Sequence, residues 1–132
     1  MYSCWFSILS SVWQGDILSP IFFALHRDPL IIQLQHLELG CSIHGEFFGC
    51  LMYADDTLLM SHTVHSVQMM LHVCDEFADD FDVKFSNSKS MAMRIGNRYS
   101  ERCVSLQIDG KDIKYVNELK YLGVCVICAK YF

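Results

Sequence analysis

The clearest pattern along the chain is an apolar stripe at helical spacing between residues 64 and 81. Apolar side chains recur there every three or four residues, and polar or acidic residues fill the positions between them. This period places the apolar side chains on one face of a helix. The stripe consists of Val64, Val67, Met70, Leu71, Cys74, Phe77, Ala78 and Phe81. We therefore predict a helix over residues 64–81 whose apolar face packs against other elements.

Capping signals predict an earlier helix. Ser19 is a residue type favoured at the N-cap, and Pro20, which follows it, is favoured at the first position of a helix. The helical pattern continues to about Leu37, and Gly40 is the residue expected to end it. Asp28-Pro29 repeats the cap-and-proline pattern inside this segment, so we expect the helix to kink or restart there.

Short apolar runs separated by turn residues predict β-hairpins. Residues 46–53 and 57–60 flank the turn Ala54-Asp55-Asp56, and Asp109-Gly110 separates residues 106–108 from residues 112–115. Further strands are predicted at residues 4–12, 91–95, 104–108 and 121–127, with turns at Gln14-Gly15-Asp16 and Asn87-Ser88. The predicted fold class is α+β, with a mostly antiparallel sheet packed by two main helices.

Composition and charge narrow the class of protein. The 132 residues are 52% hydrophobic and 19% charged, which indicates one folded domain rather than a disordered or low-complexity chain. The net charge of −5 argues against a free-standing nucleic-acid binder but not against part of one. Seven cysteines and an apolar start without a basic region favour an intracellular location, nuclear or cytoplasmic, without a signal peptide. Charged residues interrupt the apolar stretch 17–34, so no transmembrane helix is predicted.

Several other groups of polar residues favour a structural interpretation over a chemical one. Cys125 and Cys128 have zinc or redox spacing, but no second such pair exists and both lie among valine and isoleucine, so core packing is favoured. We interpret a group of histidines as part of a polar helix face: His62, His65 and His72. We interpret a group of acidic residues as a solvated helix face: Asp75, Glu76, Asp79, Asp80 and Asp82. We interpret four methionines as residues that fill the core: Met69, Met70, Met91 and Met93.

Asp55 and Asp56 are the strongest chemical candidates. Two adjacent carboxylates on a tight turn supply the oxygen ligands that hard divalent cations prefer. Aspartate is also common in turns for backbone reasons alone. On the pair alone, the turn preference of aspartate is the favoured interpretation, and a metal site is the alternative.

The wider sequence around this pair resembles the reverse transcriptases of non-LTR (LINE-like) retrotransposons. Gln14-Gly15-Asp16-Ile17-Leu18-Ser19-Pro20-Ile21-Phe22-Phe23 resembles motif B of that family, and Tyr53-Ala54-Asp55-Asp56 resembles motif C. Lys84-Phe85-Ser86-Asn87-Ser88-Lys89-Ser90 is similar to motif D, and Lys120-Tyr121-Leu122-Gly123 is similar to the motif E region. The four segments occur in the family's order over nearly the whole chain.

The resemblance implies a right-hand polymerase palm that performs RNA-directed DNA synthesis by two-metal nucleotidyl transfer. By resemblance, Asp55 and Asp56 are catalytic ligands of Mg²⁺, with Mn²⁺ as a substitute. Gln14 and Gly15 match positions near the nucleotide and template, and Lys89 matches a lysine near the triphosphate. Tyr121, Leu122 and Gly123 match the primer grip. The implied partners are an RNA template, a DNA primer and deoxynucleoside triphosphates, with no membrane.

The departures from the family are equally specific. No motif A aspartate precedes motif B, fingers and thumb are missing, and Trp13 stands where the family usually has arginine. We therefore expect residues 1–132 to form a single truncated palm domain that is inactive alone. The alternative is a non-enzymatic remnant that acts as a self-associating interaction domain, because a palm without its motif A strand leaves sheet edge and apolar surface uncovered.

Overall fold

Two packed helices organise the structure, a computed structural model that describes residues 19–101 and 103–129. Helix α1 spans Ser19–His36 and helix α2 spans Val64–Asp80. The two helices contact each other, and their facing side chains form the main core with one residue from a strand. This core consists of Leu30, Leu34, Cys50, Met70, Cys74 and Phe77.

Helix α2 follows the prediction for residues 64–81 almost residue by residue. Thr63 is its N-cap, and the Thr63 hydroxyl accepts a hydrogen bond from the Ser66 backbone N–H at 3.0 Å. The helix closes where the Phe81 N–H donates to the Phe77 carbonyl at 3.1 Å. Its buried residues are Met70, Leu71, Cys74 and Phe77, all of them members of the predicted stripe.

Helix α1 continues through Pro29 to His36, so the predicted restart at Pro29 is wrong. Pro29 lacks a backbone N–H, so one helical hydrogen bond is missing. Burial of Leu30 and Leu34, which follow Pro29, stabilises the helix beyond this point. The predicted termination by Gly40 is also wrong. Glu38 adopts the left-handed conformation instead, at φ +52°, two residues earlier.

The described strands are short and pair in twos. Their bounds are β1 Ser42–Ile43, β2 Glu46–Phe47, β3 Cys50–Tyr53, β4 Asp56–Leu59, β5 Met91–Ala92, β6 Gln107–Ile108, β7 Lys111–Asp112, β8 Lys114–Tyr115, β9 Glu118–Tyr121 and β10 Val124–Ile127. Across residues 19–101 and 103–129 they form four antiparallel pairs and one parallel pair, β5 with β8. The α+β class is confirmed, but the strands form five separate ribbons rather than one sheet.

Both predicted hairpins are present, one at the Asp55 turn and one at Asp109-Gly110. The Asp109-Gly110 turn joins β6 to β7 as predicted. The single strand predicted at 121–127 is instead part of a hairpin, because Leu122 and Gly123 take positive φ values of 48° and 85° and reverse the chain. The predicted strand at 4–12 and the turn at Gln14-Gly15-Asp16 lie outside the described residues.

Two other predicted strands are much shorter than expected. The strand predicted at 91–95 is reduced to Met91–Ala92, and the strand predicted at 104–108 is reduced to Gln107–Ile108. Val104 is exposed, so the apolar residues at the start of that segment do not contribute a buried face.

A second core lies where α2 meets the β6–β7 hairpin. It contains Leu71, Leu106, Ile108 and Ile113. Polar contacts reinforce it: the Gln68 side chain accepts from the Gln107 N–H at 2.8 Å and donates to the Gln107 carbonyl at 2.9 Å. These contacts fix the hairpin against the helix.

In the part of the chain that the structure describes, neither helix is both long enough and apolar enough to cross a membrane.

Candidate functional site

The two candidate aspartates lie at the tip of the β3–β4 hairpin. The strands pair from Cys50 with Leu59 to Tyr53 with Asp56, so the connecting turn is the two-residue Ala54-Asp55 rather than the predicted three residues. Ala54 provides the reversal with a φ of +48°. Asp56 is the first residue of β4, and both aspartates are exposed. The turn therefore presents two consecutive carboxylates to solvent.

Arg27 of α1 lies beneath this hairpin. Its Nη1 donates a hydrogen bond to the Thr57 hydroxyl at 3.2 Å, and Thr57 directly follows Asp56. Burial lowers the pKa of Arg27, and the acidic groups of Cys74, Asp55 and Cys50 oppose that shift. Asp55 thus has a cationic neighbour from another element.

Asp56 has a different neighbour, Tyr121 at the end of β9. Burial raises the pKa of the half-buried Tyr121 phenol, and the negative charges of Asp56 and Cys50 add to that shift. Electrostatic coupling of this kind requires proximity. The Tyr121 phenol therefore lies within range of the Asp56 charge, although 65 positions separate Tyr121 from Asp56 in the sequence.

The remaining primer-grip residues form the turn beyond Tyr121. Leu122 is 50% exposed, and Gly123 has a φ of +85° with open space around its α-carbon. The β9–β10 hairpin thus presents an apolar tip to solvent.

The donor chemistry of the acidic turn fits a hard divalent cation in part. Carboxylate oxygens are suitable ligands for Mg²⁺ and Mn²⁺, and both aspartates are accessible to solvent. Within residues 19–101 and 103–129, however, no group of three or more histidine, cysteine, aspartate or glutamate side chains is arranged to hold a metal ion. The described part of the chain therefore offers two carboxylates and no third ligand of these types.

Lys89 is exposed in a turn that other contacts hold in place. Its backbone N–H donates to the Ser86 carbonyl at 3.1 Å, and Asn87 donates to the carbonyls of Lys111 and Asp112 at 3.1 and 3.2 Å. Among the described residues, no ion pair or hydrogen bond joins Lys89 to Asp55 or Asp56. The predicted nucleotide and template residues, Gln14 and Gly15, lie outside the described residues.

The other candidate groups have mixed outcomes. His62, His65 and His72 are exposed, as predicted for a polar face. The core-packing prediction is wrong for Cys125, which is exposed together with Val124 and Ile127 of the same strand. Cys128 is half-buried, and its thiol donates to the Arg94 carbonyl.

Two further predictions need correction. Of the methionines predicted as core filler, Met69 and Met91 are exposed because they face away from the helix and ribbon contacts, while Met70 is fully buried. Asp75 is not merely solvated, since both of its carboxylate oxygens accept from the Asp109 N–H at 3.1 Å. It secures the β6–β7 turn.

Arg27 is the residue near the candidate site that sequence reasoning missed. Charged residues are usually exposed, so Arg27 appeared only to interrupt an apolar stretch. A signal was present nevertheless: Arg27, Leu30 and Leu34 are spaced as one helical face, and all three are buried.

Comparison with known proteins agrees with the resemblance in the motifs. Residues 5–126 match the reverse transcriptase (RNA-dependent DNA polymerase) family. The chain is 28% identical over 121 residues to the Retrovirus-related Pol polyprotein from type-2 retrotransposable element R2DM of Drosophila melanogaster. That similarity covers 86% of this chain and 11% of the polyprotein, so the chain spans about a tenth of its curated relative. Because the family match extends over most of its length, this chain belongs to the reverse transcriptase family.

Proposed function

We propose that this chain forms the part of a reverse transcriptase palm that holds catalytic metal ions and the primer end. The observation that carries the proposal is the exposed Asp55-Asp56 pair at the tip of the β3–β4 hairpin, in a chain that belongs to the reverse transcriptase family. One hairpin ends in two exposed carboxylates and another in the predicted primer grip. Elements that handle the metal and the primer must meet for a polymerase to join a nucleotide to a primer.

In this proposal Asp55 and Asp56 hold Mg²⁺, or Mn²⁺ in its place. When bound, the cations activate the primer 3′-hydroxyl and stabilise the leaving pyrophosphate. The short turn limits the movement of the two carboxylates, which favours binding because less conformational freedom is lost. Tyr121, Leu122 and Gly123 hold the primer strand beside them.

Three other residues complete the proposed substrate contacts. Lys89 provides a positive charge for the triphosphate of the incoming deoxynucleotide, and Gln14 and Gly15 contact that nucleotide and the RNA template. The cationic Lys89 lies on a turn anchored to β7 through Asn87.

Catalysis in this proposal requires a carboxylate from outside the described residues. Two-metal sites need more ligands than one aspartate pair supplies, and the described residues add no third. We therefore infer that the described residues alone bind metal weakly, and we propose, from the absence of a motif A aspartate before motif B, that the isolated chain does not extend a primer.

Primer extension on an RNA template tests the function. The purified chain, Asp55→Asn, Asp56→Asn and the matched control Asp80→Asn are assayed with Mg²⁺ and then Mn²⁺, and Mn²⁺ binding is measured separately by calorimetry. Asp80 is an exposed aspartate at the end of α2, so its substitution removes the same charge away from the site.

The expected result is Mn²⁺ binding that both site substitutions abolish and Asp80→Asn retains, without extension. Extension that depends on Asp55 and Asp56 would support the function and overturn the inferred inactivity. Mn²⁺ binding that is equal in all four proteins would contradict the metal role.

A second candidate function is self-association as an interaction domain. Val124 and Ile127 of β10 are 63% and 62% exposed. Among the described residues each ribbon has two strands, and these residues leave its outer backbone edges unpaired. Sedimentation velocity at micromolar concentration tests this candidate. Concentration-dependent dimers that Val124→Lys prevents would support it, whereas a monomer throughout would contradict it.

A further inference from the structure

Arg27 is the one charged side chain that is buried among the described residues, at 7% exposure. A guanidinium keeps its proton in proteins, so its burial costs free energy unless hydrogen bonds and charges compensate. An apolar residue would fill this position without that cost. The contacts of Arg27 with other described residues therefore indicate one use of the charge.

Those contacts lead to the acidic hairpin. The Arg27 Nη1 donates to the Thr57 hydroxyl at 3.2 Å, and the guanidinium carbon lies 5.6 Å from the centre of the Phe85 ring. Asp55 contributes an attractive charge from the adjoining turn. The hydrogen bond joins residues that are 30 positions apart, so it links two elements rather than bracing one.

The helix that carries Arg27 is itself fixed. Leu30 and Leu34 lie three and seven residues further along α1, on the same face, and both are 0% exposed. The core thus sets the rotation of α1, and the helix sets the position of the guanidinium. The hydrogen bond from the guanidinium to Thr57 then fixes the start of β4 relative to α1.

We propose that Arg27 is a positioning residue that holds the β3–β4 turn, and with it Asp55 and Asp56, in the arrangement that binds a divalent cation. The role in cation binding rests on the function proposed above. The anchoring of the turn does not, since it concerns the protein before any metal binds.

Hydrogen exchange without metal tests the anchoring. Exchange of residues 50–59 is compared with that of residues 70–77 in α2 for Arg27→Lys, Arg27→Met and Thr57→Val. Lysine keeps the charge but not the planar fork, and valine removes only the acceptor. A hydrogen bond to a charged group is strong enough that its loss should speed hairpin exchange about tenfold relative to α2.

Ile113→Ala is the matched control, because it damages the second core, which includes Leu71 of α2, without touching α1 or the bond between Arg27 and Thr57. It should speed exchange in both segments alike. The double variant Arg27→Met with Thr57→Val should exchange no faster than either single variant, because all three lack the same bond. Hairpin exchange that stays unchanged, or that rises equally in α2, would overturn the proposal.

Mn²⁺ binding to the same variants separates this inference from the proposed function. Thr57→Val should weaken Mn²⁺ binding by about three- to tenfold, while a core variant with equal loss of stability should not. If Asp55→Asn leaves Mn²⁺ binding intact, the proposed function fails, and the metal-free exchange still decides whether Arg27 anchors the turn.

Discussion

Replacing Gly49 by alanine tests how tightly the acidic hairpin is attached to the core. Gly49 directly precedes β3, and a β-carbon at this position would lie 2.5 Å from the α-carbon of Gly40 and 2.6 Å from the Phe47 ring. Backbone hydrogen bonds fix the segments that contain Gly40 and Gly49. The Phe48 N–H donates to the Cys41 carbonyl and the Met60 N–H donates to the Gly49 carbonyl, each at 2.7 Å. The ring can turn away, but the backbone of Gly40 cannot.

The magnitude follows from that geometry. Ordinary van der Waals contact needs at least 3.4 Å, so the two backbone segments must separate by about an ångström. Overpacking of this kind costs typically 1–3 kcal/mol. We expect Gly49→Ala to lower the free energy of unfolding by about 2 kcal/mol and, because Gly49 leads into β3, to weaken Mn²⁺ binding at Asp55 and Asp56.

Urea unfolding followed by circular dichroism measures the free energy, with Ser42→Ala as control. Ser42 is an exposed residue of the neighbouring β1 strand, so its truncation should change stability by less than about 0.5 kcal/mol. Gly40→Ala should destabilise as much as Gly49→Ala, because the same contact is crowded from the other side. If Gly49→Ala is as stable as Ser42→Ala, the close approach of the two glycines does not govern this region.

Three further substitutions have direct expected outcomes. Thr63→Ala removes the N-cap of α2 and should cost about 1 kcal/mol in urea unfolding, with Thr63→Ser restoring most of it. The Phe77 side chain is 1% exposed, and its ring stacks on that of Phe81 with the ring centres 4.5 Å apart. Phe77→Ala should therefore lower the free energy of unfolding by about 3–5 kcal/mol. In thermal unfolding the wild type should show a cooperative transition, and the variant should show none. Burial raises the pKa of the Cys74 thiol to about 12 from 9.0, so the folded chain retains a proton that the unfolded chain releases. Stability should therefore be greatest below pH 9 and fall as pH rises towards 12, and Cys74→Val should make the unfolding midpoint less sensitive to pH above 9.

The local parts of this fold were predictable because single segments decide them. The stripe of α2 is repeated over five turns, so its period is unambiguous. Asp109-Gly110 is a dipeptide that two-residue hairpins favour. In contrast, Leu122 is a residue that rarely takes a positive φ, and the turn it forms could not be inferred from residue type. The turn between β1 and β2 was also not predicted, although Gly45, at φ +84°, is a residue type that favours such a turn.

The parts that were not predictable depend on contacts between distant segments. The residue type of Arg27 predicts an exposed side chain, but the packing of α1 buries it. The division into five ribbons also depends on which strands meet in space, as with the parallel pair formed by β5 and β8. Sequence patterns predict strands more readily than their partners.

This distinction bears on how the aspartate pair should be interpreted. The preference of aspartate for turns explains why Asp55 and Asp56 occur where the chain reverses. It does not explain why a buried arginine donates a hydrogen bond to Thr57, the residue that directly follows the pair. A turn that forms for backbone reasons alone does not need this neighbour. Since burying a guanidinium costs free energy that an apolar side chain would avoid, the surroundings of the pair favour a site over a simple loop.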